Sequence, residues 1–320
     1  MIPELCMAPL AEITTPALRK IVRSYSAEVH LFSEMLSAAS IVNGGFHNSS
    51  RSTMYDFDPP FSYQLLGNDP AVMAEAVRIL SADADVSVDI NFGCSAPDIR
   101  RRGQGAALLT DITLASRIVS ACRAVTCGML SVKVRAGYEQ IDPHMLRSFA
   151  QMAEDEGVDF ITVHPRCAKQ RFARKADWSV IQCLTEETAL PVIGNGDISD
   201  ERDACAKKRE SGCHGIMIGR AAVASPWIFN SYTRMVSGNS DQLTIDLERI
   251  SSSFITNLLE YVPPVFYRTR AHRFYGFFCS NFTYTHELFS KIRRTDDPKM
   301  MHALISDYLL RNPDERTVIC

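Results

Sequence analysis

A cysteine in a glycine-containing loop is the residue whose position most suggests chemistry. Cys94 lies in the segment 89–97, DINFGCSAP, directly after a run typical of a β-strand. Three consecutive arginines, Arg100, Arg101 and Arg102, follow in the same loop region. A thiol placed beside clustered guanidinium groups indicates a reactive side chain next to a polyanionic ligand.

Polar side chains end five strand-like runs of the sequence. In the run 129–135, Lys133 and Arg135 share one face, and Val132 and Val134 share the other. A buried cation without a partner is costly, so agreement among five runs favours the mouth of a binding site. The alternative for any one of them is an ordinary buried side chain satisfied by hydrogen bonds. The set comprises Gln64, Asp89, Asn91, Lys133, Arg135, His164, Arg166 and Asn195.

The loops after the last two strand-like runs carry a phosphate signal. Gly196 and Asp197 follow one run, and Gly219 and Arg220 follow the next. Glycine lets backbone N–H groups approach phosphate oxygens, and arginine can bind them in a bidentate way. The alternative is that both glycines only serve turns. A central cationic Lys133 suits the polar edge of a flavin ring, and the single phosphate of FMN matches these loops.

The elements that must position these residues are eight strands alternating with helices. Thr15, Asp69 and Asp142 are predicted caps that precede prolines at helix starts, and Ser199 is the predicted cap after the seventh strand. This alternation predicts an α/β fold, a (β/α)8 TIM barrel whose site lies at the carboxyl ends of the strands. An open doubly wound sheet is the alternative, but it usually shows an early G-x-G-x-x-G. The predicted strands span residues 5–8, 29–33, 61–65, 86–91, 129–135, 160–164, 191–195 and 215–218.

The pattern changes near residues 236–240, which read as a linker. Beyond it the hydrophobic periodicity predicts only helices. The predicted organisation is a catalytic barrel over residues 1–236, followed by a small helical bundle over residues 243–320 that leans on the barrel.

Composition narrows the possible partners. The formal net charge is only -3, so a nucleic acid has to be held by a local basic patch. The ten cysteines show neither zinc-site spacing nor a C-x-x-C pair, which favours reduced thiols. Neither a signal peptide nor a membrane span is evident. We expect a cytoplasmic, monomeric protein with no metal and no membrane partner.

Taken together, these motifs resemble those of the tRNA-dihydrouridine synthase family. The resemblance covers the whole chain, is strongest over residues 7–229, and depends on the order and spacing of its motifs. The matching stretches are APL at 8–10, FSEM at 32–35, QLLG at 64–67, NFGC at 91–94, GQGAAL at 103–108, VKVRAG at 132–137, HPR at 164–166, ADW at 176–178, GNGDI at 194–198, and GR at 219–220 leading to PWIF at 226–229.

The resemblance implies an FMN-dependent enzyme that reduces the C5=C6 bond of specific tRNA uridines, with NADPH or NADH as reductant. It implies hydride transfer from flavin N5 to C6 and a proton from Cys94 to C5. Asn91 and Arg135 would lie near the uracil. The cofactor residues carried over by position are Ala8, Pro9, Leu10, Gln64, Lys133, His164, Asn195, Gly196, Asp197, Gly219 and Arg220.

A second basic stretch is a predicted binding surface for tRNA. Residues 265–294 hold six lysines and arginines against one acidic residue, with interleaved aromatics. With Arg100, Arg101 and Arg102, the residues predicted to bind tRNA are Arg268, Arg270 and Arg273. Two other readings stay open: an FMN barrel for a small molecule, such as a dihydroorotate dehydrogenase or an ene-reductase, and a non-catalytic RNA-binding flavoprotein.

Overall fold

The predicted barrel is present. A computed structural model describes residues 1–45, 53–82, 86–171, 173–239 and 241–320; Ser240, at the end of the predicted linker, lies outside them. The strands of the main sheet are β1 (Leu5–Met7), β2 (Leu31–Phe32), β3 (Leu36–Ser37), β4 (Phe61–Leu66), β5 (Ser87–Phe92), β6 (Leu130–Arg135), β7 (Phe160–His164), β8 (Val192–Asn195) and β9 (Gly215–Ile218).

Parallel pairing runs around the barrel in the order β1-β9-β8-β7-β6-β5-β4-β2. Cys6 and His30 close the ring, because the backbone N–H of Met7 donates to the His30 carbonyl at 3.0 Å. One strand of the main sheet, β3, was not predicted. It is two residues long and pairs with the end of β4, beyond the part of β4 that pairs with β2. Such a short strand leaves no periodic signal in the sequence.

Helices between the strands cover the barrel. They are α1 (Pro16–Tyr25), α2 (Ala38–Ser40), α3 (Pro70–Leu80), α4 (Pro97–Arg101), α5 (Ile112–Arg123), α6 (Pro143–Asp155), α7 (Ser179–Glu187), α8 (Glu201–Ser211), α9 (Arg220–Ala224) and α10 (Ile228–Val236). Val132 and Val134 join the apolar layer beneath these helices. A separate buried cluster that includes Phe160 and Met217 fills the barrel interior. Val132 and Val134 face the helices as predicted, while Lys133 and Arg135, on the other face of β6, line a cavity at the strand ends.

Asp69 and Asp142 cap their helices as predicted, whereas two predicted caps are wrong. The Thr15 side chain makes no capping hydrogen bond at the start of α1. The Asp69 carboxylate accepts from the N–H of Ala71 and of Val72, and the Asp142 carboxylate caps α6 in the same way. The predicted Ser199 cap is wrong. Asp200 caps α8 instead, because its carboxylate accepts from the Asp203 N–H at 2.8 Å.

The C-terminal part is mostly helical. It contains α11 (Leu247–Tyr261), α12 (Tyr267–Phe278), α13 (Thr285–Ile292) and α14 (Pro298–Arg311). The expectation of helices alone was wrong, since β10 (Thr244–Asp246) pairs antiparallel with β11 (Thr317–Ile319). Helix α11 packs on α1 of the barrel, and α12 packs on α9. The proposed division at residues 236–243 stays a prediction. None of the helices in the described ranges has the length and apolar character that a membrane crossing requires.

Candidate active site

A cavity of about 380 Å³ opens at the carboxyl ends of the barrel strands. Its wall brings together Cys94 and every residue that the sequence placed beside the cofactor or the uracil. Residues that the sequence did not assign also line it: Ala11, Met35, Gly93, Ser95, Ala96, Arg166, Ile198 and Met217. The predicted active-site location at the strand ends and the cavity coincide.

The Cys94 loop is held by Asn91, the penultimate residue of β5. Its side-chain oxygen Oδ1 accepts from the backbone N–H of Gly93 at 3.0 Å and of Cys94 at 2.8 Å. Its Nδ2 donates to Gln64 Oε1 at 2.8 Å. Asn91 was predicted to lie near the uracil, and it does line the cavity. Because three bonds engage its amide, its first task is to fix the half-buried thiol-bearing loop.

A glycine completes the turn around Cys94. Gly105 has φ +59°, in the left-handed region that glycine enters without strain. A Cβ atom there would lie 2.8 Å from the Cys94 carbonyl oxygen and 3.0 Å from the Cys94 Cβ. Ala106 N–H donates to the same carbonyl at 3.0 Å. The chain at Gly105 and Ala106 therefore packs closely against the backbone of Cys94.

Gln64 connects this loop to the barrel interior. Its Nε2 donates to Asp89 Oδ2 at 2.7 Å, while the Ser131 hydroxyl donates to Asp89 Oδ1 at 2.7 Å. Burial raises the pKa of Asp89 to about 6, although these two bonds and the nearby Lys133 oppose the rise. Asp89 therefore fixes which way the Gln64 amide faces.

Lys133 carries the central cation of the cavity. Its Nζ donates to Asn195 Oδ1 at 2.9 Å, and Asn195 Nδ2 donates to the Met217 carbonyl at 2.7 Å. Burial, and then the neighbouring Arg135, lowers the pKa of Lys133 to about 8, while Asp89 acts in the opposite direction. The ammonium group is thus charged at neutral pH at a real cost, as expected for a group that serves a ligand.

His164 stands beside this cation as a neutral ring. Burial, and then repulsion from Lys133 and three arginines, keeps its pKa well below the ordinary value. Arg166 approaches its Nε2 at 3.1 Å, so the neutral ring carries its proton on Nδ1. Arg166 was noted in the sequence as a polar strand end but was not assigned a role; its position two residues after His164 was the available signal.

Asp197 organises the cations on the phosphate side. Its carboxylate pairs with Arg166 and, at 2.8 Å, with Arg220, and it accepts from the Ala176 N–H. Burial would raise the pKa of Asp197, but these contacts lower it overall. The predicted phosphate residue Asp197 therefore acts through its side chain on two arginines, because a carboxylate repels phosphate.

Arg135 was predicted to lie near the uracil. It lines the cavity and also anchors loops: its Nε donates to the Gly93 carbonyl at 2.9 Å, and its Nη1 donates to the Cys167 carbonyl at 3.2 Å. Burial, and then Arg166, lowers its pKa to about 10. A charged guanidinium thereby connects the Cys94 loop to the loop after β7.

The predicted tRNA-binding arginines separate into exposed and buried members. Arg101 and Arg102 are exposed beside the cavity mouth, and Arg100 lies half-buried over the Tyr138 ring. Arg268 is exposed and pairs with Asp296 at 2.8 Å. These four do not line the cavity, and their role in binding RNA stays a prediction.

Arg270 is a correction. Its side chain is only 2% exposed and is paired with acidic residues of the barrel, so it is not a surface contact for RNA. A helix turns about 100° per residue, which places Arg270 roughly opposite Arg268 on α12. Arg273 lies on the barrel side as well and pairs with Glu12 at 2.6 Å. Phe274 and Tyr275 are buried in the helical core and offer no stacking platform.

Comparison with known proteins decides the family. A sequence model described as dihydrouridine synthase matches residues 6–281. The chain belongs to the dihydrouridine synthase family. It is 32% identical over 224 residues to the probable tRNA-dihydrouridine synthase of Rickettsia conorii, covering 70% of this chain and 67% of that protein. It is 31% identical over 262 residues to the protein of the same name from Mycobacterium leprae, covering 72% of this chain and 68% of that one.

Solved structures support the fold. Histamine dehydrogenase from Rhizobium sp. 4-9 superposes with a TM-score of 0.53 at 13% identity, over 81% of this chain and 49% of that one. At such low identity the likeness concerns the barrel architecture alone. This likeness agrees with the TIM barrel that the sequence predicts for this chain.

The role of Asn91 predicts different outcomes for two substitutions. Asn91→Ala leaves two backbone N–H groups of the Cys94 loop without their acceptor, so we expect a loss of about 1–3 kcal/mol in the free energy of unfolding. Alkylation of Cys94 by iodoacetamide should also change in rate. Asn91→Asp keeps an oxygen acceptor and loses only the donor to Gln64, so it should retain the alkylation rate better. Equal alkylation rates in Asn91→Ala and the unmodified protein would contradict the role.

The charge of Lys133 predicts a pH-dependent stability change. Its pKa is about 8 in the folded chain and near 10.5 when unperturbed, so folding disfavours its charged form. This cost, up to about 3 kcal/mol, is present below pH 8 and disappears as the pH rises toward 10.5. Urea unfolding of the ligand-free protein should therefore show Lys133→Met to be more stable at pH 7, with a smaller gain at pH 9.5. A gain that does not vary with pH would argue against the assignment.

Proposed function

We propose that this protein reduces the C5=C6 bond of specific uridines in tRNA to 5,6-dihydrouridine. FMN is the proposed cofactor and NADPH, or NADH, the proposed reductant. The observation that carries the proposal is one cavity whose wall holds both a thiol, Cys94, and a set of side chains suited to the polar edge of a flavin. Family membership and the names of the relatives support the same activity.

The residues present fit FMN. Gln64 presents an amide of fixed orientation, Lys133 a cation, and His164 a neutral ring, which together match a ring edge that both donates and accepts hydrogen bonds. Gly196 has φ +140°, and a Cβ atom there would lie 3.0 Å from the Ala176 Cβ and 3.2 Å from His164 Cδ2. A side chain at this position would be strained and would press on both neighbours, so glycine lets His164 keep its place in the cavity wall.

The phosphate of FMN would lie between the loops after β8 and β9. Arg220, at the start of α9, lines the cavity and is oriented by Asp197 at 2.8 Å. Arg166 is held by the same carboxylate. Both guanidinium groups border the cavity, and a guanidinium is well suited to bind a phosphate.

The chain's own residues supply the proton and the geometry of the reaction. When bound, reduced FMN would supply the hydride for C6 of the uracil ring. Cys94 Sγ–H gives its proton to C5 and leaves a thiolate, which solvent reprotonates. Asn91 and Arg135 keep the cysteine loop in place throughout, because both hold its backbone rather than its sulfur.

The target uridine has to leave its stack to enter the cavity. Arg101 and Arg102 stand exposed next to the mouth, where they can meet the RNA backbone. The helical part, residues 243–320, is the proposed second contact for tRNA, through exposed residues such as Arg268.

A small-molecule reductase would share the cavity but would gain nothing from exposed arginines at its mouth. A structural RNA-binding flavoprotein would not require a thiol in the cavity wall. Mapping dihydrouridine in tRNA from cells that lack the protein tests the activity and identifies the position. Unchanged dihydrouridine at every position would contradict the proposal.

Replacing the proposed acid separates catalysis from binding. Cys94→Ala should lower the single-turnover rate of dihydrouridine formation roughly 10²- to 10⁴-fold, as expected when a general acid is removed. Affinity for tRNA and the spectrum of bound flavin should remain. The matched control is Cys205→Ala on α8, which removes a partly exposed thiol away from the cavity. Full activity in Cys94→Ala would rule out the acid role.

Charge reversal at the mouth tests the RNA contact. Arg101→Glu with Arg102→Glu should weaken tRNA binding by roughly tenfold and reduce its salt dependence, because phosphate contacts are lost. The control, Arg78→Glu with Arg209→Glu, makes the same charge change near the ends of α3 and α8, at the opposite face of the barrel. Equal binding by the two double variants would show that the mouth arginines do not contact tRNA.

A further inference from the structure

Two arginines of the helical part reach back to the barrel. Arg270 Nη1 lies 3.2 Å from Glu12 Oε1, and its Nη2 lies 3.9 Å from Glu34 Oε2. The side chains of Arg270 and Glu34 are 2% and 3% exposed. Arg273, one turn further along α12, pairs with Glu12 Oε2 at 2.6 Å, but its side chain is 52% exposed.

The acidic partners belong to segments that form the cavity wall. Glu12 directly follows residues 8–11, all of which line the cavity, and Glu34 precedes Met35, which also lines it. The two segments are joined, since the Glu12 N–H donates to Glu34 Oε2 at 2.6 Å. Glu12 has φ +65°, a conformation that a non-glycine residue keeps only when its surroundings hold it.

Glu34 also leads back to the polar site. The hydroxyl of the preceding Ser33 donates to the Glu34 carbonyl at 2.7 Å and accepts from the Gln64 N–H at 2.9 Å. Arg270 is thus connected through Glu34 and Ser33 to the backbone of Gln64, whose side-chain amide lines the cavity. A buried ion pair is weak as a source of stability, so its position calls for a specific role.

We propose that Arg270 is a positioning residue that couples the helical part to the cavity: through its contacts with Glu12 and Glu34 it holds Glu12 in its strained conformation and so keeps the adjoining cavity-lining residues 8–11 in place. A shift of α12, such as bound RNA would impose, then reaches the wall that faces the cofactor. The consequence for catalysis rests on the function proposed above, whereas the coupling between the two parts of the chain does not.

Arg270 and Arg273 form a matched pair for testing this. Both contact Glu12 from the same helix, but Arg270 is buried and reaches Glu34, whereas Arg273 is half-exposed. Arg270→Gln should remove the coupling and Arg273→Gln should largely retain it. Arg270→Lys keeps the positive charge and should therefore retain part of the coupling.

Hydrogen–deuterium exchange in the full-length, ligand-free chain measures the coupling directly. The amides of Glu12, Ile13 and Thr14 are hydrogen-bonded, to the Glu34 carboxylate and to the Leu10 carbonyl. In Arg270→Gln they should exchange roughly tenfold faster relative to the β6 amides, whereas Arg273→Gln should change them less than about threefold. Normalising to β6 separates a local change from a general loss of stability, and Arg270→Lys supplies the comparison should the glutamine variant fail to fold.

FMN and RNA binding complete the test. Arg270→Gln should weaken FMN binding, followed by flavin fluorescence, by roughly fivefold, with tRNA affinity unchanged within about twofold. Unchanged exchange at residues 12–14 overturns the proposal. A roughly tenfold loss of tRNA affinity with normal exchange also overturns it, in favour of a direct RNA contact. Faster exchange in a protein that binds no FMN even when unmodified supports the coupling and contradicts the proposed function.

Discussion

A chain of buried hydrogen bonds runs from the barrel interior to the cysteine loop, and the candidate site depends on it. The Asp89 carboxylate accepts a hydrogen bond from the Gln64 amide, and Gln64 in turn accepts one from the Asn91 amide. The Asn91 side-chain oxygen accepts from the backbone N–H groups of Gly93 and Cys94. Each member is satisfied by the next, so the network can be buried without the penalty of unpaired polar groups. One consequence is that the Cys94 loop and the Gln64 amide are positioned by the same hydrogen-bond network.

The same region concentrates positive charge in a way that lowers stability without a ligand. Burial, and then repulsion from neighbouring cations among Lys133, Arg135 and Arg166, lowers the pKa of Lys133, Arg135 and His164. Asp197 compensates two arginines on one side, and Asp89 offsets part of the charge of Lys133. A fold that selection had shaped for stability alone would fill this space with apolar side chains. The arrangement is explained by an anionic or electron-rich ligand.

The sequence predicted the barrel and the cavity wall because both follow simple rules. Alternation along β6 sends Lys133 and Arg135 inward, and parallel strands bring their carboxyl ends to one edge. It could not separate Arg268 from Arg270, since clustered cations look alike until the helix face that packs on the barrel is known. Likewise β3, β10 and β11 are too short for a periodic pattern. The ion pairs of Glu12 join residues far apart in the chain, which no local pattern reveals.

The central claim is that the cysteine sulfur and a flavin ring occupy one cavity with room for a pyrimidine between them. A crystal structure of the protein with FMN tests it most directly. We predict electron density for the ring against Gln64, Lys133 and His164, for the phosphate beside Gly196 and Arg220, and open space between the ring and Cys94 Sγ. A flavin bound outside this cavity, or a sulfur turned away from the ring into helix packing, would contradict the account.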